Sequence, residues 1–187
     1  MVVKKYFKKF IELVGSIEVS SNGGKTDVHK AIEDICKLIK EQTNSGKKVI
    51  FIGNGGSAAI ASHMAIDFWK NGGMKALAFN DSSLLTCVSN DFGYSHVFEK
   101  PIEMFAEEGD ILFAISSSGK SENILRGVKA ARSKKCKIIT LSGFKDGNPL
   151  KKEGDYNFYV SSQEYGPVEV IHQFICHCIL DVLMQKK

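Results

Sequence analysis

The sequence predicts an α/β domain built on a doubly wound parallel sheet, and three observations predict it. Five short apolar runs rich in β-branched residues stand at KVIFIG (48–53), KALAF (75–79), DILFAIS (110–116), KIITLSG (137–143) and YNFYV (156–160). Between them lie stretches with helical spacing of apolar residues. The runs are apolar throughout rather than at every second residue, which is the pattern of strands covered on both faces.

In chain order, Phe7, Phe10, Ile11 and Val14 recur at helical spacing, and Val28, Ile32, Ile35 and Ile39 do so again after the turn-forming Ser20 to Gly24 stretch. Two helices are therefore expected before the first strand. Further helices are expected to start near Ser57, Ser82, Tyr94 and Ser121, and a last long one runs from about Val168 to Met184. The stretch Phe144 to Asp155, with Gly147, Pro149 and Gly154, reads as a loop. The chain carries no internal repeat or low-complexity segment.

A chain of 187 residues suits one domain, here 1–187, with leading helices in 1–46 and an α/β core with its final helix in 47–187. Hydrophobic residues at 43% and charged residues at 25% exclude a disordered or collagen-like chain. The net charge of +4 comes with lysines clustered near the ends and no aromatic interleaving with arginine. A solvated surface is expected, not a nucleic-acid interface. Five cysteines, Cys36, Cys87, Cys136, Cys176 and Cys178, are an odd number in mostly apolar runs, and predict buried free thiols in a reducing cytoplasm. No apolar run approaches the roughly 20 residues of a bilayer span, so neither membrane nor nucleic acid is an expected partner.

The stretch FIGNGGSAAIASHMAIDFWK (51–70) satisfies the dinucleotide fingerprint G-x-G-x-x-G/A with Gly53, Gly55 and Ala58, between a strand and a helix. That fingerprint also expects an acidic residue closing the second strand, and Asp81 comes late for it. Glycines here serve any anion equally well, because they let backbone N–H groups and a helix N-terminus approach it. Ser57 is expected to cap that helix and offer a hydroxyl. A second such loop, Ser116-Ser117-Ser118-Gly119-Lys120-Ser121, follows the third strand; it lacks the first glycine of a P-loop, since position 114 is Ala114. Its serines form a cup of donors suited to phosphate.

His63 and Asp67, at i and i+4, project from one helix face. On the last helix Glu169 and His177 lie about two turns apart, with Gln173 between them, His172 near the same side and Asp181 placed to orient His177. Two carboxylates and two imidazoles suit zinc or an acid–base pair.

With these residues in place, the chain resembles the SIS (sugar isomerase) domain family of the phosphoheptose isomerase type over nearly its whole length. The resemblance rests on GNGGS (53–57), His63 with a carboxylate four later, SNDFG (89–93), GDILFAISSSGKS (109–121), the KIITLSG strand, and Glu169 with His177. It implies a flavodoxin-like five-stranded parallel sheet, a cytoplasmic homotetramer using its leading helices in packing, and ketose–aldose interconversion of sedoheptulose 7-phosphate and D-glycero-D-manno-heptose 7-phosphate for surface polysaccharide synthesis. It also implies that Asn54, Gly55, Gly56, Ser57, Asn90 and Asp91 line the sugar site, and that Ser116, Ser117, Ser118 and Ser121 hold the phosphate. Asp67, His177 and Glu169 would be catalytic, and His63, Asp67, Glu169 and His177 would hold the zinc ion found in some members.

The chain departs from the family at Asp67, where Glu is usual, and at Glu169, where Gln is usual. It is also shorter over 69–75, without the usual arginine, and has Gly166 in place of an acidic residue. Alternative readings are isomerisation of another phosphosugar, a phosphosugar-sensing domain, or a non-catalytic relative that binds the replication initiator protein. The paired Asp67 and His177 favour the enzyme.

Overall fold

The computed structural model describes residues 1–21 and 23–185. In chain order the elements are α1 (Val2–Gly15), β1 (Glu18–Ser21), β2 (Gly24–Thr26), α2 (Val28–Asn44), β3 (Val49–Gly53), α3 (Gly56–Lys70), β4 (Ala76–Ala78) and α4 (Ser82–Phe92). They continue with α5 (Glu99–Phe105), β5 (Ile111–Ser116), α6 (Glu122–Ser133), β6 (Lys137–Ser142), β7 (Tyr156–Tyr159) and α7 (Tyr165–Met184).

All five expected strands are present and parallel, in the order β7-β6-β5-β3-β4. Two differences concern the segment between the leading helices. Instead of a plain turn, Glu18–Ser21 and Gly24–Thr26 pair as the two strands of a hairpin, and β1 adds antiparallel to β7, so the sheet has seven strands. Only Val19 of β1 is buried, opposite Phe158. The hairpin covers the β7 edge that would otherwise present unpaired backbone groups.

The apolar strands divide their side chains between two cores, since successive residues point to opposite faces. Phe51, Ile111, Phe113, Ile139 and Leu141 pack under α2, α3 and α7, while Ile50, Ile52, Leu112, Ala114 and Ile138 pack under α5 and α6. Phe51 stacks on Phe113 at 4.8 Å and meets the edge of Phe68 at 5.1 Å. Burying each of these rings contributes roughly 1.5–3 kcal/mol.

The helix expected near Tyr94 is a 3₁₀ turn (Tyr94–His96) followed by α5, whose first turn accepts Pro101. Helix α7 is 20 residues long with mean hydropathy 1.4, so by length and composition one helix does reach the bilayer threshold. Its apolar content has another cause: Ile171, Ile175, Ile179 and Leu180 are core residues of this domain.

From β3 the chain winds outward to β4, and from β5 it winds the other way to β6 and β7. The crevice between β3 and β5 is thus the switch point where ligands bind in such sheets. The loops 53–57 and 116–121 open there, at the carboxyl ends of β3 and β5.

Candidate active site

At the switch point a cavity of about 270 Å³ is lined by the two loops together with Tyr165 and Glu169 from α7. Asn54, Gly55, Gly56, Ser57, Ser116, Ser117, Ser118 and Ser121 all face it. A larger open groove, about 640 Å³, lies at the far end, between the 71–75 turn and the last turn of α7, away from both loops.

Helix α3 starts at Gly56 with Gly55 as its cap at φ +55°, so Ser57 sits inside the first turn, buried, and does not cap it. No side chain closes this helix end. Among the described residues the N–H groups of Gly56 and Ser57 find no acceptor, and they meet the cavity as donors with the helix dipole behind them. On the facing loop the buried hydroxyl of Ser117 has no partner among the described residues. Buried hydroxyls are rarely left so, and an anion would satisfy this one. Asp81 accepts hydrogen bonds from the N–H groups of Ser83 and Leu84 as the cap of α4, so it is occupied structurally and does not serve as a ribose ligand.

Along α3 and α7 a second group forms. His63 Nε2 lies 3.1 Å from Asp67 Oδ2, and His177 Nδ1 lies 4.0 Å from the same oxygen. One donor atom from each residue falls within 4.8 Å of the others. Asn71 Nδ2 donates to Asp67 Oδ1 at 3.2 Å and steadies the carboxylate. Two nitrogens and one carboxylate with an open side is the donor set of a catalytic zinc site.

Glu169 is not in this group. It lies eight residues from His177, about 12 Å along the helix axis, and its carboxyl group rests against Gly56, 2.5 Å from where a Cβ would be. Asn90 and Asp91 are exposed at the end of α4, hydrogen-bonded to each other at 2.9 Å, and do not line the cavity.

Asp181 is exposed and does not hold His177. Gln173 does: its amide Nε2 donates to His177 Nε2 at 2.9 Å and to the Met64 sulfur at 3.2 Å. With Nε2 accepting, the neutral ring carries its proton on Nδ1, toward Asp67. Two residues that the sequence did not mark for the site are Asn123 and Tyr94, both bonded to Asn54.

His172 points away from this group and is fully buried, its Nε2 donating to Ser142 O at 3.2 Å. Burial pushes its pKa down from 6.5 to about 4. The folded state therefore binds fewer protons than the unfolded one in that window, and stability is full above about pH 6.5 and falls as pH drops toward about 4. Urea midpoints across this window will show the decline, and His172→Gln will flatten it.

Residues 6–143 match the family model described as SIS domain. A phosphoheptose isomerase of Hamiltonella defensa is 39% identical over 155 residues, covering 80% of this chain and 75% of that protein. One from Campylobacter concisus is 32% identical over 94% of this chain and 88% of its own length. The solved phosphoheptose isomerase of Neisseria gonorrhoeae superposes with a TM-score of 0.84 at 29% identity, covering 97% of both chains. The chain belongs to the SIS-domain phosphoheptose isomerase family.

Proposed function

We infer that this chain is an aldose–ketose isomerase that interconverts sedoheptulose 7-phosphate and D-glycero-D-manno-heptose 7-phosphate. The observation that carries this reading is the pairing of an anion cup at the switch point with His63, Asp67 and His177 on the two helices that border it. The named relatives, at 32–39% identity over most of the chain, support it.

In this reading Ser116, Ser117, Ser118 and Ser121 bind the phosphate, and Asn54, Gly55, Gly56 and Ser57 line the sugar site. Asn90 and Asp91 lie outside this cavity at the end of α4 and are given no role in it. Moving the carbonyl between C1 and C2 through an enediol requires a base at carbon and proton transfer at oxygen. His177 and Asp67 carry these transfers, with Gln173 and Asn71 holding them in place. Glu169 faces the same cavity and is the further candidate base.

The residues present fit zinc, with His63, Asp67 and His177 as donors; Glu169 joins them only by leaving Gly56. When bound, the ion polarises the substrate carbonyl. The exposed Val3, Phe7 and Ile11 form one stripe of α1, and we assign this stripe to self-association as a homotetramer. The five free cysteines accord with a cytoplasmic setting.

The test is formation of the aldose from sedoheptulose 7-phosphate by the purified chain. A folded chain that forms none overturns the reading.

A further inference from the structure

We propose that Asn123 and Tyr94 are positioning residues that lock the Asn54 amide so that it faces the substrate only as a hydrogen-bond donor. This rests on the isomerase reading above.

Asn123 sits in the first turn of α6, is 3% exposed, and was not marked by any motif. Its Oδ1 accepts the backbone N–H of Ile124 at 3.0 Å. A backbone N–H can only donate, so this bond fixes which end of the Asn123 amide is oxygen. The Asn123 Nδ2 must then point at an acceptor, and it donates to Asn54 Oδ1 at 2.9 Å. Asn54 Nδ2 returns the bond to Asn123 Oδ1, also at 2.9 Å. Tyr94 completes the set, its hydroxyl donating to Asn54 Oδ1 at 3.0 Å.

The consequence is chemical. An amide oxygen has two lone pairs, and both of those on Asn54 are taken, by Asn123 and Tyr94. Its Nδ2 has two hydrogens, of which one goes to Asn123. The second N–H is the group Asn54 has left for the cavity it lines. Asn54 therefore reads an oxygen acceptor on the substrate and cannot accept from a sugar hydroxyl. The same bonds tie the loop after β3 to the start of α6 after the serine loop, and both to the 94–96 turn next to Asp91.

Steady-state kinetics on sedoheptulose 7-phosphate with Asn123→Asp and Tyr94→Phe tests this. Aspartate keeps the acceptor for Ile124 but sets an oxygen against Asn54 Oδ1, a clash that neither orientation of the Asn54 amide relieves, so the fixed orientation is lost. We expect KM to rise at least about 10-fold with kcat changing less than about 3-fold. Tyr94→Phe leaves Asn123 to hold the orientation, and KM rises only about 2- to 5-fold. If Asn123→Asp fails to fold, Asn123→Ala takes its place: it frees the Asn54 amide to rotate, and KM rises more than in Tyr94→Phe. A folded Asn123 variant with KM within 2-fold of the parent, or one that lowers kcat while sparing KM, overturns the proposal. A folded but inactive parent chain instead overturns the isomerase reading, and this inference with it.

Discussion

His177→Ala will lower turnover of sedoheptulose 7-phosphate by at least about 100-fold, the loss expected when a positioned acid–base group is removed. The side chain is 37% exposed, so its removal leaves no sealed cavity, and the thermal midpoint will move little. The two effects separate because the ring contributes to chemistry through Asp67 and Gln173 but little to the core. A variant with turnover within about 3-fold of the parent removes His177 from the reaction. It would also restore the non-catalytic reading of the family, in which this imidazole has no task.

Gly53→Ala will damage both stability and activity. A Cβ at this position would lie 2.4 Å from the carbonyl oxygen of Ser57 and 2.5 Å from its carbonyl carbon. Both are backbone atoms of the first turn of α3, so no side chain can swing aside, and the helix itself must shift. Overpacking of this kind costs about 1–3 kcal/mol, read as a lower urea midpoint. The larger consequence is positional. Helix α3 carries the Gly56 and Ser57 donors at one end, with His63 about two turns and Asp67 about three turns on. A displacement of about 1 Å in such groups costs on the order of 100-fold in rate. Unchanged stability together with unchanged rate would contradict the close approach.

The five parallel strands were legible because their residues are apolar on both faces, a pattern that few other arrangements produce. The hairpin was not, because Glu18–Ser21 places a single apolar side chain, Val19, in the core. The two ligand loops were legible from glycine and serine at strand ends, and His63 with Asp67 from their spacing. What spacing could not supply is direction across the packed helices. Gln173 and Asp181 stand four residues to either side of His177, and sequence alone favoured the charged one. The packing of α7 against α3 decides between them, since it brings Gln173 onto Met64 and leaves Asp181 in solvent. Likewise Glu169 and His177 share a helix face, yet the rise of the helix keeps the carboxylate at Gly56. Asn123 was invisible for another reason: a lone asparagine two residues after a serine loop has no signature until its partner Asn54 is brought beside it.

Proton transfer through an enediol at this site is tested most directly by isomerisation of sedoheptulose 7-phosphate in deuterated water, followed by NMR. The expected product is an aldoheptose 7-phosphate that carries deuterium at C2, delivered by a group that exchanges with solvent. Protium moved from C1 to C2 with no solvent deuterium in the aldose or the recovered ketose even after prolonged incubation, or a folded chain that forms no aldose at all, would contradict the enediol route.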